Sequence, residues 1–203
     1  MDVPRGLALV LAAYGSGSVP WGVVLGKVLL RTDLRRHGSG GTGATNAMRV
    51  LGWRISVLVF VLDFLKGFGP VLLARGLNLD GWWVAAVATA TVFGHCWSPW
   101  IGFRGGKGMA TGAGAAAGLL PWVLMIFPVM LAVVLVTRYV SLASIVGSVT
   151  VCGVLVVLGL FDQVAWSVIA AIGMMTAIIV LQHRGNIARL VRGTERRFGE
   201  PAT

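Results

Sequence analysis

The chain is built from apolar runs of about twenty residues, separated only by short polar segments. A run of this length crosses a bilayer as an α-helix. Hydrophobic residues make up 57% of the 203 residues, and the mean hydropathy is +0.86. We therefore predict an all-α integral membrane protein with about seven transmembrane helices. The predicted spans are residues 6–30, 53–75, 81–98, 107–120, 121–137, 140–160 and 162–181.

The run from Met109 to Val136 allows two arrangements. It forms either one long tilted helix or two short helices broken between Leu120 and Pro121. The first run, residues 6–30, is expected to remain in the protein as a helix, because no small-residue cleavage site with a soluble domain follows it.

The distribution of positive charge predicts the orientation in the membrane. With seven spans and the N-terminus outside, fourteen Arg and Lys residues fall on the inner side, whereas only Arg5 and Arg75 fall on the outer side. Six spans would move Arg138 or the arginine-rich C-terminus outward, which the positive-inside rule disfavours. We expect the N-terminus outside and the C-terminus in the cytoplasm.

Three segments, residues 38–49, 94–111 and 183–195, combine glycine, cationic and small polar residues beside the ends of apolar runs. Glycines allow backbone N–H groups to approach an anion closely, while hydroxyl groups and cations add donors and charge. With seven spans, all three motifs lie on the cytoplasmic side of a single polytopic membrane domain, residues 1–203. The sequence therefore predicts a phosphate-binding pocket at the inner membrane face.

Two nucleotide-binding motifs are matched only in form. Residues 38–43 fit G-x-G-x-x-G, but a dinucleotide site needs a preceding strand and a βαβ unit, and here a membrane span follows. Around Lys107, a Walker loop would need glycine where Ile101 stands and a hydroxyl residue where Gly108 stands. Nucleotide binding is not expected.

Arg49 and Lys107 are embedded among glycines and hydroxyl residues, so we expect both to contact substrate. His95 has two open interpretations, a helix cap or a functional group. Other cytoplasmic cations are expected only to set orientation and attract anionic lipid. These are Arg31, Arg35, Arg36, Arg196 and Arg197.

Two further groups of charged residues have predicted partners. Asp63 and Lys66 lie three residues apart within the second span, which predicts an internal ion pair with an architectural role, too deep to reach phosphate easily. In the third motif, a short interfacial helix would place His183, Asn186 and Arg189 on one stripe facing the site. Glu195 is expected to pair with Arg192.

Together the motifs closely resemble the bacterial acyl-phosphate:glycerol-3-phosphate acyltransferase family, PlsY. The resemblance rests on Gly43-Ala-Thr-Asn-Ala-Met-Arg49, on Gly94-His95 with Phe103-Arg-Gly-Gly-Lys-Gly-Met-Ala-Thr111, and on the third motif from His183 to Glu195. It extends over essentially the whole chain. The sequence departs from the family pattern at Gly41-Thr42, where Asn-Pro is usual, and at Arg104, where Lys is usual.

The resemblance implies transfer of an acyl chain from acyl phosphate to the 1-hydroxyl of sn-glycerol 3-phosphate, giving lysophosphatidic acid and phosphate. It also implies a multi-pass protein of the bacterial inner membrane, with a cytoplasmic active site and a groove between helices for the lipid chain. No metal, organic cofactor or nucleic acid is expected. Membrane lipids are expected partners, and the resemblance leaves room for contact with the enzyme that makes acyl phosphate.

By this resemblance, Ser39, Arg49 and Lys107 act on the phosphate groups as catalytic residues, and Thr45 and Asn46 shape the first loop. His183 and Asn186 hold glycerol 3-phosphate. The remaining expected substrate-binding residues form a backbone cradle for phosphate: Gly105, Gly106 and Gly108.

The motifs hold a single carboxylate, Glu195, and His183 and His95 remain formal candidates for a base. We nevertheless expect no dedicated base and favour transfer of the hydroxyl proton to the donor phosphate. Two other functions would also use glycines and cations. A transporter of a phosphorylated metabolite would place its site at the midplane, often between repeats, and no repeat is visible. A non-catalytic binder of anionic lipids would explain the charges but not three separate motifs.

Overall fold

The computed structural model describes residues 2–200, and within them the chain is helical, with no β-strand. Both ends of the expected domain, residue 1 and residues 201–203, lie outside the described residues. The all-α prediction is confirmed. The helices are α1 (Asp2–Gly17), α2 (Trp21–Leu30), α3 (Ala44–Leu51), α4 (Trp53–Gly76), α5 (Gly81–Cys96), α6 (Met109–Leu119), α7 (Phe127–Thr137), α8 (Val140–Leu160), α9 (Trp166–Gln182) and α10 (Arg184–Val191).

Helices α4 and α8 occupy the predicted spans 53–75 and 140–160 almost residue for residue. The run that allowed two arrangements is divided between Leu120 and Pro121, so two helices form there. Proline lacks the N–H that would continue α6, and it begins a 3-10 segment, Pro121–Ile126, that leads into α7.

The first predicted span, residues 6–30, forms two helices, because the chain leaves helical geometry just before a proline. Carbonyl groups left free at this break are satisfied from other helices and loops. Ser98 Oγ donates to the carbonyl of Ser18 at 2.6 Å. Lys66 Nζ donates to the carbonyl of Val19 at 2.7 Å. Such pairing makes irregular backbone tolerable inside a bilayer.

Three helical segments in the described part of the chain are long and apolar enough to cross a membrane: Val3–Leu30, Trp53–Gly76 and Val140–Leu160. A fourth span results if Trp166–Gln182 and Arg184–Val191, which are bent by 57° relative to each other, count as one. The other predicted spans correspond to the shorter helices α5, α6 and α7.

Small residues bring the central helices into backbone contact. A Cβ atom added to Gly67 in α4 would collide with the carbonyl of Thr111 in α6, and one added to Gly114 would collide with the carbonyl of Phe64. Helices in membranes associate through close packing of this kind, since lipid supplies no hydrophobic drive between them.

The predicted ion pair forms within α4. Lys66 Nζ lies 2.8 Å from Asp63 Oδ1, without the alignment of a hydrogen bond, and the two side chains are only 5% and 2% exposed. Lys66 joins α4 to the break between α1 and α2 through its bond to Val19, which agrees with the architectural role. Asp63 also reaches the wall of the cavity described next, so the pair is nearer to the site than expected.

Candidate active site

The three glycine-rich motifs meet in one open cavity of about 700 Å³. The first motif contributes the loop before α3, the second the loop before α6, and the third the junction of α9 and α10 with the segment that follows. All ten site residues predicted from the sequence line this cavity: Ser39, Thr45, Asn46, Arg49, Gly105, Gly106, Lys107, Gly108, His183 and Asn186.

Asn46 holds the first loop in its shape. Its side-chain oxygen accepts from the Ser39 N–H at 2.9 Å, and its Nδ2 lies 3.1, 3.1 and 2.9 Å from the carbonyls of Leu34, His37 and Gly41. These contacts fit the expected shaping role. The two N–H groups of the Asn46 side chain are shared among three backbone acceptors, so neither is left for a substrate.

The amides of the second motif divide into two groups. Gly105 N–H donates to the carbonyl of Cys96 at 3.0 Å, and Gly106 N–H donates to that of His95 at 3.1 Å. These two amides are thus not available to phosphate, which corrects the expected cradle. The backbone N–H groups of residues 107–111 have no acceptor within the described residues. These residues belong to the first turn of α6 and to the loop just before it, where backbone N–H groups lack partners within the helix.

His95 supports this loop from below. Its Nδ1 lies 3.2 Å from Thr111 Oγ1 and 3.6 Å from Asp63 Oδ1, and the side chain is buried. A Cβ atom on Gly106 would collide with the imidazole Nε2, so only glycine lets the loop lie this close to the ring. His95 also lines the cavity, so both a structural and a functional role stay predictions.

His183 is fixed as a neutral hydrogen-bond acceptor. Its Nδ1 lies 2.8 Å from the carbonyl of Ile179, and since a carbonyl only accepts, Nδ1 carries the proton. Burial, with a further contribution from the charge of Lys107, lowers the pKa of His183 to about 4. The unprotonated Nε2 has no partner in residues 2–200 and belongs to a cavity-lining side chain.

Glu195 is the centre of a hydrogen-bond network. Its Oε1 accepts from Asn186 Nδ2 at 2.5 Å and from Ser141 Oγ at 2.8 Å, and its Oε2 accepts from Arg189 Nε at 2.7 Å. Burial opposes ionisation, but these bonds hold the pKa of the Glu195 carboxyl below its usual value. The predicted pair with Arg192 is wrong: the carboxylate turns toward the cavity wall, where Arg189 lies.

The cavity carries an excess of positive charge. Burial, together with Arg189 and Arg49, lowers the pKa of Lys107 to about 8, although Glu195 opposes part of this effect. Burial and the charge of Arg196 lower the pKa of Arg49. Arg196, which we expected to set orientation only, lines the cavity together with these two cations. The site is therefore suited to anions.

A second, apolar cavity of about 50 Å³ adjoins the charged one. Both cavities are lined by Met109, Ala113, Phe127 and Met130, which lie at the junction. Beyond them the apolar cavity continues between α6, α7, α8 and α9. The charged cavity thus has a small apolar extension between the helices.

A family model described as glycerol-3-phosphate acyltransferase matches residues 7–193. The chain belongs to this family. A glycerol-3-phosphate acyltransferase of Anaeromyxobacter sp. (strain Fw109-5) is 43% identical over 97% of this chain and 98% of its own. Another, from Aquifex aeolicus (strain VF5), is 43% identical over 96% of this chain and 100% of its own.

Solved structures of the family have the same fold. PlsY (YgiH), an integral membrane glycerol 3-phosphate acyltransferase, superposes in its glycerol 3-phosphate form with a TM-score of 0.88 at 42% identity, covering 96% of each chain. Its lysophosphatidic acid form superposes with a TM-score of 0.86 at 40% identity. This glycerol-3-phosphate acyltransferase is therefore a multi-pass membrane protein of phospholipid synthesis, which favours an enzyme over a transporter or a lipid binder.

Sequence reasoning missed several residues that line the cavity. Ser141 comes from the start of α8, outside every motif, and nothing in its local sequence distinguishes it. Arg196 follows Glu195 directly, and that position beside a motif was the available signal. Asp63 was noticed but assigned to the membrane interior.

Proposed function

We propose that this chain transfers a fatty acyl group from acyl phosphate to the 1-hydroxyl of sn-glycerol 3-phosphate. The hydroxyl oxygen attacks the acyl carbon and forms the ester bond, while the bond from that carbon to the phosphate oxygen breaks. Lysophosphatidic acid and inorganic phosphate are the products. The observation that carries this proposal is the cationic cavity of the three motifs, joined to an apolar cavity between helices.

The phosphate groups would lie against Arg49, Lys107 and Ser39, with the free amides of residues 107–111 as further donors. Gly108 begins this turn with a φ of +82°, a conformation that glycine adopts without strain. Clustered cations offset repulsion between donor and acceptor phosphates and stabilise negative charge developing on the acyl carbonyl. Holding both substrates in contact supplies much of the remaining rate enhancement.

Two acceptors would recognise the hydroxyl groups of the glycerol. His183 presents a neutral Nε2, and Asn186 presents its side-chain oxygen, since its nitrogen donates to Glu195. Phosphate offers acceptors only, so these two groups are unsuited to it and suited to alcohols. The glycerol 3-phosphate form of the related PlsY supports this substrate.

The hydroxyl proton would pass to the departing phosphate. With a pKa of about 4, His183 is too weak a base to take the proton efficiently at neutral pH. His95 is buried between Thr111 and Asp63, and Glu195 is occupied by three donors. The donor phosphate, already at the reacting carbon, is the best-placed acceptor.

The acyl chain would enter the apolar cavity beyond Met109 and Met130, between α6, α7, α8 and α9. We further propose seven spans in the bacterial inner membrane, with the N-terminus outside and the motifs in the cytoplasm. The excess of positive charge in the loops supports this orientation.

The donor is tested with purified protein in detergent and radiolabelled glycerol 3-phosphate, offered palmitoyl phosphate or palmitoyl-CoA in separate reactions. We expect labelled lysophosphatidic acid from palmitoyl phosphate alone. Equal or faster transfer from palmitoyl-CoA would overturn the proposed donor. An Arg49→Ala sample purified in parallel controls for contaminating acyltransferases, because its activity should fall with the charge.

A further inference from the structure

Arg196 lies in the wall of the charged cavity with one buried guanidinium nitrogen unpaired. The residue lines the cavity together with Arg49 and Lys107, and its Nη1 is buried without a hydrogen-bond partner in the described part of the chain. A buried cationic donor without a partner is costly, because it has lost its hydrogen bonds to water. An arrangement of this cost is typical of a site that receives its partner as a ligand.

The segment that carries Arg196 is anchored on both sides. Before it, Glu195 is bonded to Ser141 and Asn186. After it, the N–H of Phe198 donates to the carbonyl of Arg138 at 2.6 Å, and Arg138 Nη2 donates to the carbonyl of Phe198 at 2.8 Å. The position of Arg196 is thus fixed by its neighbours and not by contacts of its own guanidinium.

The other charges of the cavity wall are mostly paired. Arg189 is neutralised by Glu195, and Asp63 by Lys66. Arg49, Lys107 and Arg196 have no salt-bridge partner among the described residues. Burial and the charge of Arg196 lower the pKa of Arg49, as expected for two cations that line one cavity. An anion bound between them would offset the repulsion between these two charges.

We propose that Arg196 is a further phosphate-binding residue of this site, with Nη1 donating to a phosphate oxygen of one of the two substrates. This proposal rests on the proposed function, in which two phosphate groups occupy the cavity together. Three unpaired cations then face two phosphates that each carry close to two negative charges. Arg49 and Lys107 alone leave about half of that charge unbalanced.

The test compares Arg196→Ala and Arg196→Lys with Arg192→Ala, which removes the same charge from an exposed position at the end of α10. We expect Arg196→Ala to raise KM for one substrate by about tenfold or more, and the affected substrate identifies which phosphate is bound. Arg196→Lys should recover part of the loss, since lysine keeps the charge but not the guanidinium geometry. Arg192→Ala should stay within about twofold of wild type.

Thermal unfolding in detergent separates ligand binding from a structural role. Without ligand, Arg196→Ala should melt at or above the wild-type temperature, because it removes a buried Nη1 donor that has no partner. With saturating inorganic phosphate, the stabilisation seen for wild type should be largely lost in Arg196→Ala and kept in Arg192→Ala.

The proposal is overturned if KM values and phosphate stabilisation of Arg196→Ala match those of Arg192→Ala. It is also overturned if the ligand-free variant melts well below wild type, which would show that Arg196 supports the fold. Phosphate binding is measured without turnover. If wild type fails to use acyl phosphate but phosphate still stabilises it through Arg196, the donor is wrong and the role of Arg196 holds.

Discussion

Asn186 Nδ2 donates to Glu195 Oε1 at 2.5 Å, and this contact decides which end of the amide faces the cavity. A carboxylate only accepts, so the nitrogen must face it and the oxygen must face away. The amide therefore offers an acceptor to a substrate hydroxyl. Glu195, which does not itself have to touch substrate, becomes a positioning residue for Asn186.

Glu195→Gln should raise KM for glycerol 3-phosphate by about tenfold, because the lost contact is a hydrogen bond to a charged group. The amide introduced at position 195 has an NH₂ group in place of one carboxylate oxygen, and this group cannot accept a hydrogen bond from Asn186 or Arg189. The orientation of Asn186 is then no longer fixed. The change in kcat at saturation should be smaller. Ser141→Ala is the control, since it removes another donor to the same oxygen and leaves Asn186 in contact. An unchanged KM in Glu195→Gln would contradict the positioning role.

Arg49→Ala and Lys107→Ala should each lower kcat/KM by at least about 100-fold, since loss of a charge-assisted contact to a desolvated phosphate costs on the order of 3 kcal/mol. Arg35→Ala is the matched control. Arg35 lies outside the cavity and pairs with Asp33 at 2.7 Å on the surface, where an ion pair contributes little. Steady-state kinetics on the three purified variants tests this expectation. Similar losses in all three would remove the distinction between site cations and orienting cations.

The charge of Lys107 should appear in the pH dependence of substrate affinity. Its pKa of about 8 lies below the usual lysine value, so the free enzyme holds the ammonium at pH 7 and loses it as the pH rises through 8. Substrate phosphates stay doubly charged across this range, since their second pKa is about 6. KM should therefore rise above pH 8, by up to about tenfold per pH unit, with little change in kcat.

Lys107→Arg provides the check on this assignment, because a guanidinium remains charged throughout. The rise in KM above pH 8 should disappear in this variant, whatever its activity at pH 7. Persistence of the rise would assign the titration to another group.

The junction between the two cavities should set the preferred chain length. A Cβ atom on Gly147 would lie 2.6 Å from Met130 Cγ, so Gly147→Ala forces the Met130 side chain to shift at the entrance of the apolar cavity. We expect kcat/KM for palmitoyl phosphate to fall by about tenfold relative to decanoyl phosphate. Met130→Ala, which enlarges the entrance, should favour the longer chain. Gly153→Ala is the control on the same helix, with no atom within 4 Å of the added methyl group.

The first and third glycine-rich motifs should both be accessible from the cytoplasm. Single cysteines at the exposed positions Ser39 and Thr194, in a protein with Cys96 and Cys152 replaced, should resist an impermeant thiol reagent in intact cells. The same cysteines should react in inverted membrane vesicles. Labelling of either one in intact cells would reverse the proposed orientation.

Features that depend on a single segment of the chain could be predicted from the sequence. Apolar run length located α4 and α8, and the glycine-rich motifs located the cavity, because a motif places its donors within a few residues of each other. The loop-shaping role of Asn46 was implied by the family resemblance, and its amide bonds to the backbone of that loop.

The remaining features depend on segments far apart in the sequence. The amides of Gly105 and Gly106 are taken by the end of α5, which no pattern within their own loop reveals. Arg196 enters the cavity because Arg138 holds Phe198, sixty residues away. Charge counting treated Arg196 as one of many cytoplasmic cations, and only its surroundings distinguish it from Arg192.

The anchoring of Phe198 on Arg138 also has a consequence for biogenesis. Ser39 and Lys107 leave the ribosome early, and the helices that carry them can insert while synthesis continues. Glu195 and Arg196 are synthesised last of the cavity residues. A nascent chain that stops after α9 therefore has its apolar helices but lacks part of the cavity wall. On the proposed role of Arg196, phosphate binding should therefore require translation and membrane insertion through Phe198.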